Sequence, residues 1–258
     1  MNDPILLLFA VVNVIVTALF AVVVARQYLK RRRSYQLYWS LGLAMAFIGT
    51  LAYVFMILLG PTSSAGVLLF RLYYVLGAAL TSAWLGLGSV ALLGKRRLTL
   101  GSLIVLCVLS LLAIFSIGTA SVNSSVLSHV AGTSGRGVLE LGVGVTWIIL
   151  LNTLGVVGVV GVAVYSGWKL LRRQRMIGNL PTSNLLWANV LILIGDLFNA
   201  AAGTFARVLG VDSTFWLFMA FGWIIFFAGV LLTGRRSTRL KQAEQSSVSR
   251  EIKEQPVS

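Results

Sequence analysis

Residues 66–118 read GVLLFRLYYVLGAALTSAWLGLGSVALLGKRRLTLGSLIVLCVLSLLAIFSIG. Two long apolar runs, Gly66–Leu93 and Leu98–Gly118, are separated by Gly94-Lys95-Arg96-Arg97. A run of about twenty apolar residues crosses a hydrocarbon core of about 30 Å at ~1.5 Å per helical residue. Two such runs joined by three consecutive cations predict a transmembrane helical hairpin. Its turn faces the cytoplasm, because Lys and Arg in short loops are retained on that side.

The same pattern extends in both directions. Further apolar runs occupy Pro4–Ala25, Gln36–Leu59, Glu140–Trp168, Asn184–Val208 and Thr214–Thr233. The expected fold class is all-α: a polytopic transmembrane bundle of about seven helices. Barrel strands are excluded because they would alternate polar and apolar residues, whereas these runs are continuously apolar. Composition agrees, with 58% hydrophobic and 11% charged residues against about 25% charged in soluble domains. Mean hydropathy is +0.92.

Eighteen of the 21 Lys and Arg fall on one side of this ladder. They follow the first run (Arg26, Lys30–Arg33), the third (Lys95–Arg97), the fifth (Lys169, Arg172, Arg173, Arg175) and the seventh (Arg235 onward). Only Arg71, Arg136 and Arg207 fall on the other side. The bias predicts an outer N-terminus and a cytoplasmic C-terminus. It also accounts for the net charge of +14. The implied partner is the lipid bilayer and its acidic headgroups, and not nucleic acid. The start, Met-Asn-Asp-Pro, has no basic segment ahead of its apolar run, so the first helix is expected to be retained and not cleaved as a signal peptide.

Residues 1–234 are expected to form the transmembrane domain. Residues 235–258 alternate charge with Ser and Gln and are expected to form a disordered cytoplasmic tail. Such a tail is too short for a catalytic output domain, so any signal would pass to a separate cytoplasmic protein through the basic turns and the tail. The longest outer connection, near Thr119–Leu139, carries His129 and Arg136. The sole cysteine, Cys107, is expected to face lipid or pack within the fourth span. Trp147 and Trp216 are expected at the outer membrane interface, and Trp39, Trp168 and Trp187 at the inner one. All four prolines fall at span ends, in loops or in the tail and none in a span interior, which disfavours the broken helices that build many transporter sites. Small residues recur at helical spacing, as in Ala78/Ser82/Gly86, Gly155/Gly158/Gly161 and Gly195/Asn199/Gly203. Such lines predict close helix packing.

Of the seven acidic residues, Asp196 alone lies deep in a span. A charge there costs about 2.5–3.5 kcal/mol on insertion scales, so an intramembrane acid marks a functional-site hypothesis. Asn189, Asp196, Asn199, Gly203 and Arg207 share one face of the sixth helix at steps of seven, three, four and four. Asn13 with Thr17, Asn152, and Arg71 with Tyr74 place further polar groups on the first, fifth and third helices. The candidate polar pocket is therefore Asp196, Asn199, Asn189, Asn152, Asn13, Arg71, Tyr74 and Arg207. Asp196 would form its floor, with Glu140 or Asp212 pairing Arg71 and Arg207 at the rim. The competing reading is a set of interhelical hydrogen bonds, each worth about 0.6 kcal/mol.

Several chemistries are excluded. The seventh span has no Lys for a retinal Schiff base, and the only His lies in an outer loop, so paired intramembrane haem ligands are missing. One deep acid makes no aspartyl dyad, and no carboxylate or His cluster suggests a metal. No catalytic residue, cofactor or metal is expected, and an enzyme is the weakest class.

The run Tyr38-Trp39-Ser40-Leu41-Gly42-Leu43, with Phe70-Arg71-Leu72-Tyr73-Tyr74-Val75-Leu76-Gly77 and Ala83-Trp84-Leu85-Gly86-Leu87-Gly88, resembles a group of prokaryotic seven-helix integral membrane proteins of unassigned activity. The resemblance covers about 55 residues and implies a prokaryotic plasma membrane. The topology is also similar to the seven-helix input regions of bacterial sensor kinases, without the kinase. Two functional expectations result: a stand-alone membrane sensor or scaffold, or a small-solute or ion-coupled transporter using the Asp196 face.

Overall fold

The computed structural model describes the backbone of residues 4–172, 176–177, 180–208 and 214–234, and the side chains of most of these, those at 4–6, 170–171, 176–185, 200, 203–208 and 233–234 excepted. The tail expected from residue 235 and the side chain of Arg207 lie outside the described residues.

The described chain is almost entirely helical. In order it forms α1 (Pro4–Arg31), α2 (Ser34–Leu59), α3 (Ser64–Tyr73), a π-helical segment (Tyr74–Leu80), α4 (Thr81–Leu92), α5 (Arg96–Thr119), α6 (Ser124–Leu127), α7 (Gly144–Leu171), α8 (Thr182–Val208) and α9 (Phe215–Gly234). Two-residue strands pair antiparallel as β1 (Ser121–Val122) with β2 (Leu139–Glu140), and β3 (Met176–Ile177) with β4 (Leu180–Pro181). Each expected apolar run is helical over most of its length, although the fifth begins with Glu140 in β2 and becomes helical only from Gly144. Among the described residues, six helical segments are long and apolar enough to cross a membrane, counting Ser64–Leu92 as one. The described apolar part of α8 is the shorter Leu186–Asn199.

Helix ends follow local chemistry. Gly60 and Gly94 adopt φ of 88° and 69° directly after α2 and near the end of α4. A side chain resists this region, so glycine permits the chain to turn there. Ser63 caps α3, its hydroxyl accepting from the Gly66 N–H at 2.9 Å. α1 runs past the expected Ala25 into its basic residues and ends where Arg32 takes φ 50°.

α1, α2, α4, α7, α8 and α9 pack in that order into a ring, which closes through α9 against α1. α5 sits outside it, against α4 and α7. Only Leu106, Ser110, Ala113 and Ile117 of α5 are buried, one residue per turn. Its Leu111 and Phe115 are 68% and 71% exposed, and Leu19 of α1 is 59% exposed. An apolar outer surface of this extent belongs in hydrocarbon and would aggregate in water. Cys107 is exposed on the same helix.

Glycines set the closest approaches. A methyl group at Gly86 would fall 2.5 Å from the Gly155 carbonyl oxygen, and one at Gly155 would fall 2.5 Å from that of Ser82. α4 and α7 therefore meet backbone to backbone. α8 and α9 do the same, since a methyl at Gly195 would lie 2.6 Å from the Gly222 carbonyl. Small residues allow this dispersion contact, which holds helices together where lipid removes the hydrophobic incentive.

Two tryptophans expected at the membrane interface are core residues instead. Trp39 is fully buried, packs on Gly88 and donates its indole N–H to the Leu85 carbonyl at 3.1 Å. Trp216 is fully buried beside Tyr53. The gap that Gly88 leaves accepts an indole from within the bundle, which outweighs its interfacial preference. Trp168 and Trp187, expected at the inner interface, are 46% and 61% exposed.

Candidate functional site

Of the polar face expected on α8, Asn189, Asp196 and Asn199 have described side chains. Asn189 and Asp196 are 0% and 7% exposed, one face of the helix being turned inward. Its members then diverge. Asp196 points toward α4, where the Ser82 hydroxyl lies 3.4 Å from both carboxylate oxygens. Asn199 sits against α9 at Gly222, and its Oδ1 is buried without a partner among the described residues.

The Ser82 contact is long for an O–H···O bond, which favours about 2.7–2.8 Å. A carboxylate offers about four acceptor positions, so one stretched donor leaves most of that capacity unused among the described residues. Gly155 keeps this space open, since its missing Cβ would lie 2.7 Å from the Ser82 hydroxyl. The α4–α7 glycine seam therefore brings the α7 backbone against Ser82, the residue that faces Asp196.

One turn before Ser82 the helix widens. Residues 74–80 follow a π-helical course, and Thr81 closes it by returning both its N–H and its hydroxyl to the Leu76 carbonyl, the latter at 2.7 Å. Asn152 of α7 donates to the Ala78 carbonyl within this segment at 2.9 Å and to Ile148 in its own helix at 3.0 Å. π-helical insertions often occur at functional positions. Sequence reading missed this one, because neither Pro nor a charged residue marks it. The only available signal was polar Thr81 and Ser82 inside an apolar run.

The remaining candidates are spread through the bundle. Asn13 joins α1 to α9, donating to the Trp216 carbonyl at 2.6 Å. Thr17 donates to the Asn13 carbonyl at 2.7 Å and lies 3.3 Å from the Thr50 hydroxyl of α2. Tyr74 is half-buried and packs its ring against Phe70. Arg71 was expected to pair with Glu140. Its guanidinium instead donates to the carbonyls of Gly118 and Ala120 at the end of α5, while Glu140 accepts from the Ser121 hydroxyl at 2.7 Å. The C-terminal carbonyls of a helix carry partial negative charge and lack intrahelical donors, so they compete well for a nearby arginine.

The connection between α5 and α7 folds down onto the bundle. Tyr53 donates its hydroxyl to the carbonyls of Val130 and Thr133 at 2.8 and 3.2 Å, and Tyr73 donates to Ser134 at 3.3 Å. Leu127, Val130 and Val138 are buried in the same core as Tyr53, Phe70 and Trp216. Among the described residues no three His, Cys, Asp or Glu side chains gather where one cation could be held.

No protein-family model, curated protein or solved structure matches the chain.

Proposed function

We propose that the chain is a stand-alone sensor or scaffold of a prokaryotic plasma membrane, crossing it seven times with its N-terminus outside. The loop between α5 and α7 is its receiving surface. The basic turns and the tail engage a cytoplasmic protein. The observation that carries this reading is how the interior polar groups are used. Asn13, Asn152 and Arg71 each bond a backbone carbonyl of another segment, Thr17 meets the Thr50 hydroxyl of α2, and Tyr53 and Tyr73 hold the loop to the bundle. Such bonds fix helix positions relative to one another, which suits a module that relays a shift in packing. A seventh crossing by α8 and an outer loop both follow from the Lys/Arg distribution.

Two measurements test the proposal. A cysteine placed in the turn at residues 95–97, in a Cys107→Ser background, should resist an impermeant thiol reagent on intact cells and react after permeabilisation. Crosslinking from the basic turns should recover the same cytoplasmic protein repeatedly and lose it when residues 235–258 are deleted. Labelling on intact cells would overturn the orientation, and tail-independent recovery would overturn the assigned role of the tail.

A second reading, an ion-coupled transporter, is favoured by the unused acceptor capacity of Asp196 and the orphaned Asn199 Oδ1. It requires that Asp196→Asn abolish cation- or proton-driven uptake in proteoliposomes. Flux unchanged by that substitution would eliminate it.

A further inference from the structure

Because α5 stands outside the ring, it leaves a groove against α4 and α7 with a volume of about 530 Å³. This lies within the roughly 300–1,000 Å³ of ordinary ligand sites. Its walls are almost wholly aliphatic, including Leu87, Val90, Val105, Leu154 and Val157. Along α7 it runs from Leu151 to Tyr165, about 21 Å at ~1.5 Å per residue. One leaflet supplies about 15 Å, half of a ~30 Å hydrocarbon core, so the groove is long enough for a lipid tail.

Charge identifies the occupant. Lys95 lines the groove at one end. The ammonium groups of Lys95 and Lys169 lie 5.7 and 5.1 Å from the centre of the same Tyr165 ring, within the range of a cation–π contact. Next to them Arg172 stacks 4.0 Å above Trp168. Cations thus gather where the headgroup of a lipid lying in the groove would sit, while the rest of the groove is hydrocarbon-like. Gly101 and Gly161 also line it, and a Cβ at either would meet nothing within 4 Å. These glycines widen the groove without relieving any protein contact.

We infer that this groove holds one acyl chain of an anionic phospholipid from the surrounding bilayer, with the lipid phosphate held by Lys95 and Lys169. Basic pockets between membrane helices recognise anionic headgroups in this way, each nearby cation adding to the attraction. The inference is independent of whether the protein senses or transports, because none of these residues touches Asp196 in the described contacts.

Native mass spectrometry of the full chain, equilibrated with equal amounts of dioleoyl phosphatidylglycerol and dioleoyl phosphatidylcholine, tests it. The wild type should retain one phosphatidylglycerol in preference to phosphatidylcholine. Lys95→Gln combined with Lys169→Gln alters only residues at the basic end of the groove and should reduce that preference by roughly tenfold. Gly101→Leu combined with Gly161→Leu fills the groove from open positions and should remove the retained lipid, with helicity and elution volume unchanged. An undiminished adduct in the folded glycine variant overturns the inference. So does an unchanged headgroup preference in the lysine variant, which decides the matter by itself should the glycine variant not fold.

Discussion

Asn152 of α7 donates its side-chain N–H to the Ala78 carbonyl, 2.9 Å away, inside the π-helical segment of the neighbouring helix. A π-helical course disturbs the regular i to i−4 ladder, and in an apolar medium a backbone carbonyl left without a donor is costly. Asn152 thus both joins two helices and supplies a donor to the widened turn. Asn152→Leu keeps the approximate volume and removes that donor. It should destabilise the protein by about 1–2 kcal/mol, read as a lower midpoint in thermal or SDS unfolding in detergent. An unchanged midpoint would show that the π-helical segment needs no outside donor.

The α4–α7 seam predicts a steep dependence on side-chain size. Gly155→Leu must push a branched side chain into the Ser82 carbonyl and hydroxyl, where even a Cβ would stand 2.5 and 2.7 Å away. Overpacking against backbone costs at least about 1–3 kcal/mol, and here neither wall can yield without moving a helix. The variant should fail to give monodisperse protein. Gly118→Ala is the control, since a Cβ there meets nothing within 4 Å. It should be neutral or gain up to ~1 kcal/mol from helix propensity. Equal expression and unfolding midpoints for the two variants would contradict a backbone-to-backbone seam.

The sequence was most legible where one strong physical rule acts alone. The Gly94–Arg97 turn between two apolar runs set the α4–α5 boundary to within a few residues, because lipid admits few alternatives to helix. Gly86, Gly155 and Gly195 were readable as packing positions for a similar reason. Questions of partner were harder. Arg71 seemed suited to Glu140, yet it caps α5 through Gly118 and Ala120, and nothing in its own neighbourhood of sequence announces a distant helix end. Trp39 had the position of an interfacial residue, but the gap at Gly88 is created by another helix. The outlying position of α5 was likewise hidden, since its buried positions Leu106, Ala113 and Ile117 are no more apolar than its exposed Leu111 and Phe115, and its one buried polar group, Ser110, is small. Among lipid-exposed helices, composition separates inside from outside poorly.

The contact between Ser82 and Asp196 is long, so the two should be weakly coupled. Interhelical hydrogen bonds in membranes average about 0.6 kcal/mol in double-mutant cycles, and a 3.4 Å separation lies beyond the favoured range. The cycle Ser82→Ala with Asp196→Asn should give a coupling energy below ~0.6 kcal/mol in reversible unfolding. Both single variants should fold. A coupling of ~2 kcal/mol would mean that the two groups are locked together in the working protein, leaving Asp196 little freedom to meet a ligand or cation.

Tyr53 and Tyr73 should contribute unequally to holding the loop. Tyr53 reaches two loop carbonyls, the nearer at 2.8 Å, whereas Tyr73 reaches one at 3.3 Å. Substitution by Phe preserves the ring packing, in which the Tyr53 ring centre lies 5.1 Å from that of Tyr73 and 4.5 Å from that of Trp216. Only the hydroxyl contribution is then lost, about 1 kcal/mol for a well-formed bond. Tyr53→Phe should therefore speed amide exchange across residues 126–138 by about fivefold, and Tyr73→Phe should change it by less than about twofold. The ends of α2 and α3 should keep their protection in both variants, because Leu127, Val130 and Val138 remain buried against Phe70 and Trp216. Equal exchange in the two variants would mean that apolar burial, and not the Tyr53 hydroxyl, keeps the loop on the bundle.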